Sequence, residues 1–234
     1  MVSLEKKTPL YSYMKNPSLI DFPGNMALIF FVNVCNFRCR FCHNRSLLDK
    51  TLDTFTYEYL NEVLDKYKDN WVEAVVISGG EPCTHSDIFE LVEFIYKKDF
   101  KIKLDTNGSF PERLREVLPL VDYVAMDLKA SLENYEKLVK FNNTKKILES
   151  IEILKQSGKP FELRTTILED FHTIEEIDKM LPLLKDIPEY YLQAFIPRKE
   201  VLDPELRDAK RTSLTYLEKL EDHLKKANVN VKIR

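Results

Sequence analysis

The sequence predicts an α/β protein built from parallel strands, and three observations support this prediction. Apolar runs of strand length alternate with amphipathic helices, and six such strand–helix units follow one another along the 234 residues. The strands are continuous apolar runs, as expected for a parallel sheet that is covered on both faces. Polar residues recur directly after the strands, where parallel α/β folds place their functional groups.

Six apolar runs are predicted to form strands, and their number guides the choice of topology. Six parallel units are too few for a closed eight-stranded barrel of ~250 residues, so we expect a partial (βα)6 TIM-like barrel. A doubly wound sheet is the competing topology. The predicted strands are Ala27–Asn33, Glu73–Ser78, Lys101–Asp105, Tyr123–Asp127, Phe161–Thr166 and Tyr190–Phe195, with a candidate edge strand at residues 229–233.

Helices are predicted between these strands from apolar periodicity and from end signals. Ser86 is the expected N-cap of the second helix, because its hydroxyl can accept from the first free N–H groups. Ser157-Gly158 is expected to end a helix, because glycine accepts the left-handed conformation that follows a helix. The helices are expected at about residues 56–68, 88–95, 111–118, 144–156, 174–184 and 212–227.

The amino-acid composition and net charge limit the classes of protein to which this chain can belong. The chain is 44% hydrophobic and 31% charged, which is typical of a globular protein and excludes disorder as its main state. We expect one domain over residues 1–234, with a core at about 20–200 and a C-terminal helix and edge strand at about 212–234. The net charge of −3 makes nucleic acid an unlikely partner. The chain shows neither a signal peptide nor an apolar run of ~18 residues, so we expect a cytoplasmic protein without a membrane partner.

The cysteines indicate a metal site. Three of the four, Cys35, Cys39 and Cys42, lie on one short loop after the first strand. Clustered thiolates in such a chain favour an iron–sulfur cluster or zinc over disulfides. Three local cysteines would leave one iron of a 4Fe–4S cubane open for a non-protein ligand. A zinc site with Cys83 or His43 as the fourth ligand is the alternative.

Two motifs resemble those of the radical S-adenosylmethionine (SAM) superfamily. Cys35–Cys42 (CNFRCRFC) fits the CxxxCxΦC motif, and Ser78–Pro82 (SGGEP) resembles the GGE motif that binds the SAM amino group. Glycines allow close backbone approach, and a glutamate supplies an acceptor for an ammonium group. The resemblance implies a 4Fe–4S cluster on the three motif cysteines. It also implies cofactor contacts from Phe41, Gly79, Gly80 and Glu81.

Four further segments resemble the glycyl-radical-enzyme activating enzymes, most of all the activating proteins of anaerobic ribonucleoside-triphosphate reductase. The pyruvate formate-lyase activating enzyme is similar as well. This resemblance implies that one electron cleaves SAM to methionine and a 5′-deoxyadenosyl radical, which takes a hydrogen atom from a backbone glycine of the partner. A flavodoxin or ferredoxin-type protein would supply the electron. The segments are SLIDFPG (18–24), CHN (42–44), KLDTNG (103–108) and VAMDLK (124–129).

The resemblance also assigns residues around SAM. Asp105, Thr106 and Asp127 are expected to bind a monovalent cation, and Lys129 is expected to reach the SAM carboxylate. Capping carboxylates and a solvated lysine are the ordinary roles for such side chains. Arg164, in an apolar strand, needs an anion, either the SAM carboxylate or a structural acid, and we assign it to SAM.

The remaining site residues have ordinary explanations of similar weight. Gln193 is a candidate contact to adenine, whereas Phe195 is expected in the core. Asn44 and His43 follow the last cysteine and are candidates for a role near the cluster, although His43 could equally be structural. Cys83 departs from the family pattern and is expected to be a buried small hydrophobic residue.

Three functions follow from these observations. The first is a SAM-cleaving activase that installs a glycyl radical on anaerobic ribonucleotide reductase. The second is an activase of another glycyl radical enzyme, such as pyruvate formate-lyase, or a radical enzyme that acts on a small molecule. The third is a non-enzymatic binding module stabilised by zinc, which would lose its fold on chelation.

Overall fold

In the computed structural model, residues 2–48 and 52–234 are described. The strand order in the sheet is the chain order, β1 to β8. β2 to β7 are the six predicted strands and β8 is the predicted edge strand, so the expected parallel α/β fold is confirmed. The strands are β1 (Leu10–Tyr13), β2 (Ala27–Val32), β3 (Ala74–Gly79), β4 (Lys101–Thr106), β5 (Tyr123–Asp127), β6 (Phe161–Ile167), β7 (Tyr190–Ala194) and β8 (Val231–Ile233).

The helices follow the predicted alternation. Thr56, Thr173 and Ser213 each accept a backbone N–H at a helix start, as N-caps do. None of the described helices has the length and apolar character needed to cross a bilayer. The helices are α1 (Tyr57–Lys68), α2 (Ile88–Tyr96), α3 (Pro111–Val117), α4 (Tyr135–Val139), α5 (Thr144–Gln156), α6 (Ile174–Leu184), α7 (Pro204–Arg207) and α8 (Leu214–Lys226).

The structure differs from the predicted elements in small ways. The residue at the start of α2 is Asp87, whose side chain makes no capping hydrogen bond, so the prediction for Ser86 was wrong. A 3-10 turn at Pro82–Thr84 leads the chain into this helix. β1, α4 and α7 were not predicted. α4 and α7 have five and four residues, little more than one helical turn, and so show no 3.6-residue repeat, whereas β1 (LYSY) is not a continuous apolar run.

Backbone contacts divide the chain into two compact units that alternate along the sequence. The first unit comprises the described parts of residues 1–36, 46–106 and 112–124, and the second comprises residues 37–45, 107–111 and 125–234. The prediction of one domain over residues 1–234 stays a prediction.

The first unit contains the antiparallel pair β1–β2 and the parallel ladder β2–β3–β4. Phe22, Ile29 and Val76 belong to a buried cluster in this unit. The parallel register places Val32 opposite Gly79, so β2 and β3 end side by side. The loops that carry Cys35 and the GGE motif therefore start from adjacent strand ends.

The second unit contains the parallel ladder β6–β7–β8. α8 lies against β7 and β8, and its buried residues are Leu217, Leu220 and Leu224. These leucines recur at a spacing of three and four residues, which places them on one face of a helix. α5 ends at Ser157, and Gly158 has a φ of 68°, as the sequence predicts for a glycine after a helix.

Candidate active site

In the first unit, the GGE loop is hydrogen-bonded to the residues that precede the first cysteine. The Gly80 N–H donates to the Val32 carbonyl at 3.0 Å, and the Glu81 N–H donates to the Val34 carbonyl at 2.9 Å. Val34 has a φ of 63°, a left-handed conformation that is strained for a β-branched residue. The two hydrogen bonds hold this strained turn and fix the backbone at the point where Cys35 begins.

The two glycines of the motif are required by this close approach. A Cβ atom at Gly80 would lie 1.9 Å from the Val34 carbonyl oxygen. A Cβ atom at Gly79, where φ is 116°, would lie 2.6 Å from backbone atoms of Val32. The glycines therefore let two backbone segments of the first unit pack together, and this requirement does not depend on any ligand.

Gly80→Ala is expected to lower the free energy of unfolding by about 1–3 kcal/mol, because the added methyl group displaces the backbone at Val34. Chemical denaturation measures this loss. Gly24→Ala measures backbone strain without a clash: Gly24 has a φ of 73° but no atom within 4 Å of the added Cβ, so alanine there is expected to cost only the left-handed conformation, about 1 kcal/mol. A Gly80→Ala protein as stable as the wild type would show that the approach to Val34 is not needed.

Glu81 is a fully buried carboxylate at the end of β3. Its Oε1 accepts hydrogen bonds from the Thr106 hydroxyl at 2.7 Å and from the Cys83 N–H at 2.9 Å. Its backbone carbonyl accepts from the Thr84 hydroxyl at 2.7 Å. The neighbouring residues thus hold the carboxylate in one orientation, as a site for an ammonium group requires.

Cys83 lies beside this carboxylate and is fully buried, as the sequence predicted. Burial, and then the charge of Glu81, raise the pKa of the Cys83 thiol well above its usual value. Metal ligation and nucleophilic attack both use the thiolate, so this environment opposes either role for Cys83.

Asp105, at the end of β4, is bonded to the protein's own groups. Its Oδ1 lies 2.6 Å from the Lys103 ammonium, and its Oδ2 accepts from the Ser78 hydroxyl at 3.1 Å. The sequence analysis did not single out Lys103. A signal was available, because a lysine two residues before Asp105 in a strand projects to the same face.

In the second unit, Asp127 at the end of β5 lies between two cations. Its Oδ1 is 2.5 Å from Arg164 Nε, and its Oδ2 is 2.8 Å from Lys129 Nζ. Burial opposes the charge of Asp127, but attraction to Arg164 and Lys129 outweighs it and holds the pKa well below its usual value. Of the two partners predicted for Arg164, this contact favours the structural acid.

The Lys129 side chain is also close to the cysteine loop of the second unit. Its ammonium lies 5.5 Å from the centroid of the Phe41 ring. Burial lowers the pKa of Lys129, whereas attraction to Asp127 and to Cys39 raises it, and the net effect is an increase. The backbone here is fixed as well, since the Lys129 carbonyl lies 2.9 Å from His172 Nε2.

The cysteine loop is anchored by backbone hydrogen bonds to the end of α4. The Arg38 N–H donates to the Val139 carbonyl at 2.8 Å, and the Arg40 N–H donates to the Leu138 carbonyl at 3.0 Å. Phe37 is buried and packs against the ring of Phe141, with 4.8 Å between the ring centroids. The chain is thereby held between the first and second motif cysteines.

A segment after β7 holds the other end of the loop, which the sequence did not indicate. The Leu202 N–H donates to the Cys42 carbonyl at 2.9 Å, and the Asp203 N–H donates to the Arg40 carbonyl at 3.0 Å. The Asp203 carboxylate lies 2.5 Å from Arg40 Nε, and Glu205 lies 3.1 Å from the same guanidinium group. These contacts join residues more than 150 positions apart, so no local pattern could have revealed them.

The residues after the last cysteine have a structural setting. His43 Nε2 lies 2.6 Å from the Ile196 carbonyl, and its ring stacks on Phe195 with 5.9 Å between centroids. Phe195 is buried, in line with the predicted core position. Asn44 is exposed, and Gln193 is half-buried in β7.

None of the four cysteines, all of which lie within the described residues, forms a disulfide, and Cys35, Cys39 and Cys42 are each partly exposed. Within the described residues, no three histidine, cysteine or acidic side chains converge on a point as the ligands of one metal ion would. A 4Fe–4S cluster does not require such convergence, because each thiolate binds a different iron. The donor set, three thiols within eight consecutive residues, fits the cluster by its chemistry.

Both the sequence and the fold of this chain are similar to those of known proteins. Residues 29–184 match the model of the Radical SAM superfamily, so the chain is a radical SAM enzyme. In fold it resembles SuiB of Streptococcus suis, crystallised with the precursor peptide SuiA, with a TM-score of 0.69 and 20% identity. That similarity covers 88% of this chain and only 48% of the SuiB chain, so this protein spans about half of SuiB.

Two curated relatives define the group more narrowly. A candidate glycyl-radical enzyme activating enzyme of Methanocaldococcus jannaschii is 32% identical over 233 residues, which cover 96% of this chain and 95% of that protein. The pyruvate formate-lyase-activating enzyme of Streptococcus mutans is 26% identical over 180 residues, covering 71% of this chain and 68% of the relative. The chain belongs to the glycyl-radical enzyme activating family within the radical SAM superfamily.

Proposed function

We propose that this protein cleaves SAM reductively and installs a glycyl radical on a partner enzyme, and that the partner is anaerobic ribonucleoside-triphosphate reductase. The observation that carries the proposal is the buried Glu81 carboxylate, oriented by Thr106 and Cys83 on a loop bonded to the residue before Cys35. The relative that is similar over nearly its whole length supports the same reaction class.

The residues predicted to hold the cluster and SAM have the following proposed roles. Cys35, Cys39 and Cys42 hold the 4Fe–4S cluster, and Gly79, Gly80 and Glu81 bind the SAM amino group. When bound, cluster and SAM supply a one-electron cleavage that ends in methionine, 5′-deoxyadenosine and a glycyl radical on the partner. We further assign Phe41 and Asn44 to the surroundings of the cluster and Gln193 to adenine.

The charged groups of the second unit position one another in this proposal. Arg164 holds Asp127, and Asp127 in turn fixes the ammonium of Lys129. We propose that Lys129, which also lies against Phe41, contacts the SAM carboxylate. The protein's share of the reaction is binding, orientation and exclusion of water, while a flavodoxin or ferredoxin-type protein delivers the electron.

The reaction is tested with anaerobically reconstituted, reduced protein incubated with SAM. We expect release of 5′-deoxyadenosine, and a glycyl radical signal in electron paramagnetic resonance when anaerobic ribonucleotide reductase is added. A radical on pyruvate formate-lyase instead would keep the reaction and change the partner. Absence of SAM cleavage under all reducing conditions would contradict the proposed function.

Glu81→Gln is expected to weaken SAM binding about 10–100-fold, because a hydrogen bond to a charged acceptor contributes about 1.5–3 kcal/mol. Equilibrium dialysis of SAM against the reconstituted protein measures this change without requiring turnover. Glu73→Gln is the matched control, because Glu73 is an exposed glutamate directly before the same strand. Unchanged affinity in the Glu81 variant would remove this residue from the SAM site.

A further inference from the structure

The residues predicted to bind a monovalent cation are already bonded to other groups of the protein. The prediction named Asp105, Thr106 and Asp127, whose oxygen atoms would suit a hard ion. The Thr106 hydroxyl donates to Glu81 at 2.7 Å, and Asp127 is bonded to the cations of Arg164 and Lys129. These two side chains therefore do not form a vacant oxygen site for an ion.

The structure departs most clearly from the predicted cation site at Asp105. The side chain of Lys103 is only 2% exposed, and its ammonium lies 2.6 Å from Asp105 Oδ1. A buried ammonium is costly unless it is paired and hydrogen-bonded, so the Lys103–Asp105 ion pair is a structural element of the first unit. The Ser78 hydroxyl donates to the other oxygen of Asp105 at 3.1 Å, which orients the carboxylate.

A metal ion at Asp105 would have to share the carboxylate with this ammonium. At Asp127 two cations share one carboxylate, but each has an oxygen to itself. At Asp105 the Lys103 ammonium occupies one oxygen and the Ser78 hydroxyl the other, so an ion would have to displace one of them or crowd against the ammonium. The Lys103 side chain thus supplies, from the protein itself, the positive charge that the Asp105 carboxylate needs.

We propose that the Lys103 ammonium takes the place of a bound monovalent cation at Asp105, so that SAM binding by this protein needs no added potassium or sodium. This inference rests on the proposed function, because it concerns the conditions under which the same site binds SAM. It makes Lys103 a positioning residue that acts through Asp105.

The test compares SAM affinity in buffers whose only monovalent cation is either potassium or the bulky tetramethylammonium ion. Wild-type protein is expected to bind SAM equally well in both. Lys103→Met removes the charge and keeps much of the side-chain length, so potassium is expected to tighten SAM binding about tenfold in this variant. A wild-type protein that binds SAM only in potassium would overturn the inference, as would a Lys103→Met variant indifferent to the ion.

Thermal unfolding of the apoprotein gives a readout that does not involve activity. An ion that binds only the folded state raises the melting temperature, so potassium is expected to stabilise Lys103→Met and not the wild type. Lys98→Met is the matched control, because Lys98 pairs with Asp65 at 2.5 Å and 52% of the Asp65 side chain is exposed. An equal response of wild type and Lys103→Met would contradict the inference.

The double variant Lys103→Met/Asp105→Asn removes both charges and serves if the single variant does not fold. It is expected to fold and to show no response to potassium, whereas a response would place the ion elsewhere and contradict the inference. Failure of the proposed function is distinguishable, because SAM cleavage would then be absent in both buffers. Cleavage that requires potassium in the wild type would overturn only the role of Lys103.

Discussion

Alanine at Cys35, Cys39 or Cys42 is expected to remove the iron–sulfur cluster and reduce 5′-deoxyadenosine formation by about 100-fold or more. The reason is that each thiolate is proposed as a direct cluster ligand, and loss of groups that merely support a ligand already costs about 10–100-fold. Iron content, visible absorption and 5′-deoxyadenosine formation after anaerobic reconstitution measure the effect.

Cys83→Ala is the matched control for these variants. Cys83 is fully buried and its thiol pKa is raised by burial and by Glu81, so it is not expected to bind iron. The Cys83 variant should therefore keep its iron and its absorption. If it lost metal together with the other three, and the wild type carried zinc without iron, the zinc-stabilised binding module would be the correct interpretation.

Asp127→Asn is expected to lower the free energy of unfolding by about 3–5 kcal/mol, since it removes the anion between two largely buried cations. The side chains of Arg164 and Lys129 are 15% and 11% exposed, so water screens their charges little. Chemical denaturation of the apoprotein measures the loss. Glu133→Gln is the control, because its exposed ion pair with Lys179 should contribute less than about 1 kcal/mol.

The same group predicts how stability depends on pH. The pKa of Asp127 in the folded protein lies below its ordinary value of 3.8, so the unfolded state binds the proton first. The contribution of Asp127 is therefore complete at pH values above 3.8 and is lost as the pH falls through the lower folded-state pKa. Wild type and Asp127→Asn should converge in stability in strong acid, and a constant difference down to the lowest pH would contradict this assignment.

Much of the fold could be predicted because each strand of the parallel sheet is a continuous apolar run. β2 to β7 were all found within one or two residues of their bounds. The N-cap of α2 was missed because a 3-10 turn at Pro82–Thr84 determines where that helix begins. The backbone conformation of this turn could not be predicted from the sequence pattern. The four-residue helix α7 is too short to show a helical repeat, and β1 (LYSY) lacks the continuous apolar run of the other strands.

The chemistry of the site was visible in the sequence where the residues are close in the chain. The spacing of Cys35, Cys39 and Cys42 predicted an iron–sulfur or zinc site, and the resemblance of the run from Ser78 to Pro82 to the GGE motif predicted a SAM contact. The glycines of that run were predicted to permit close approach, and the structure shows a close approach of the protein's own backbone at Val34.

The sequence by itself determined the succession of strands and helices along the chain, the three-cysteine motif and the carboxylate at Glu81, because these depend on composition and on short spacings. The order of the strands within the sheet, which excludes a doubly wound arrangement, came from the structure. Only the tertiary structure decided which distant charges meet: Arg164 with Asp127, and Arg40 with Asp203. The physical reason is that an ion pair depends on distance and burial in space. When two residues are far apart in the chain, no local sequence pattern indicates that they are in contact.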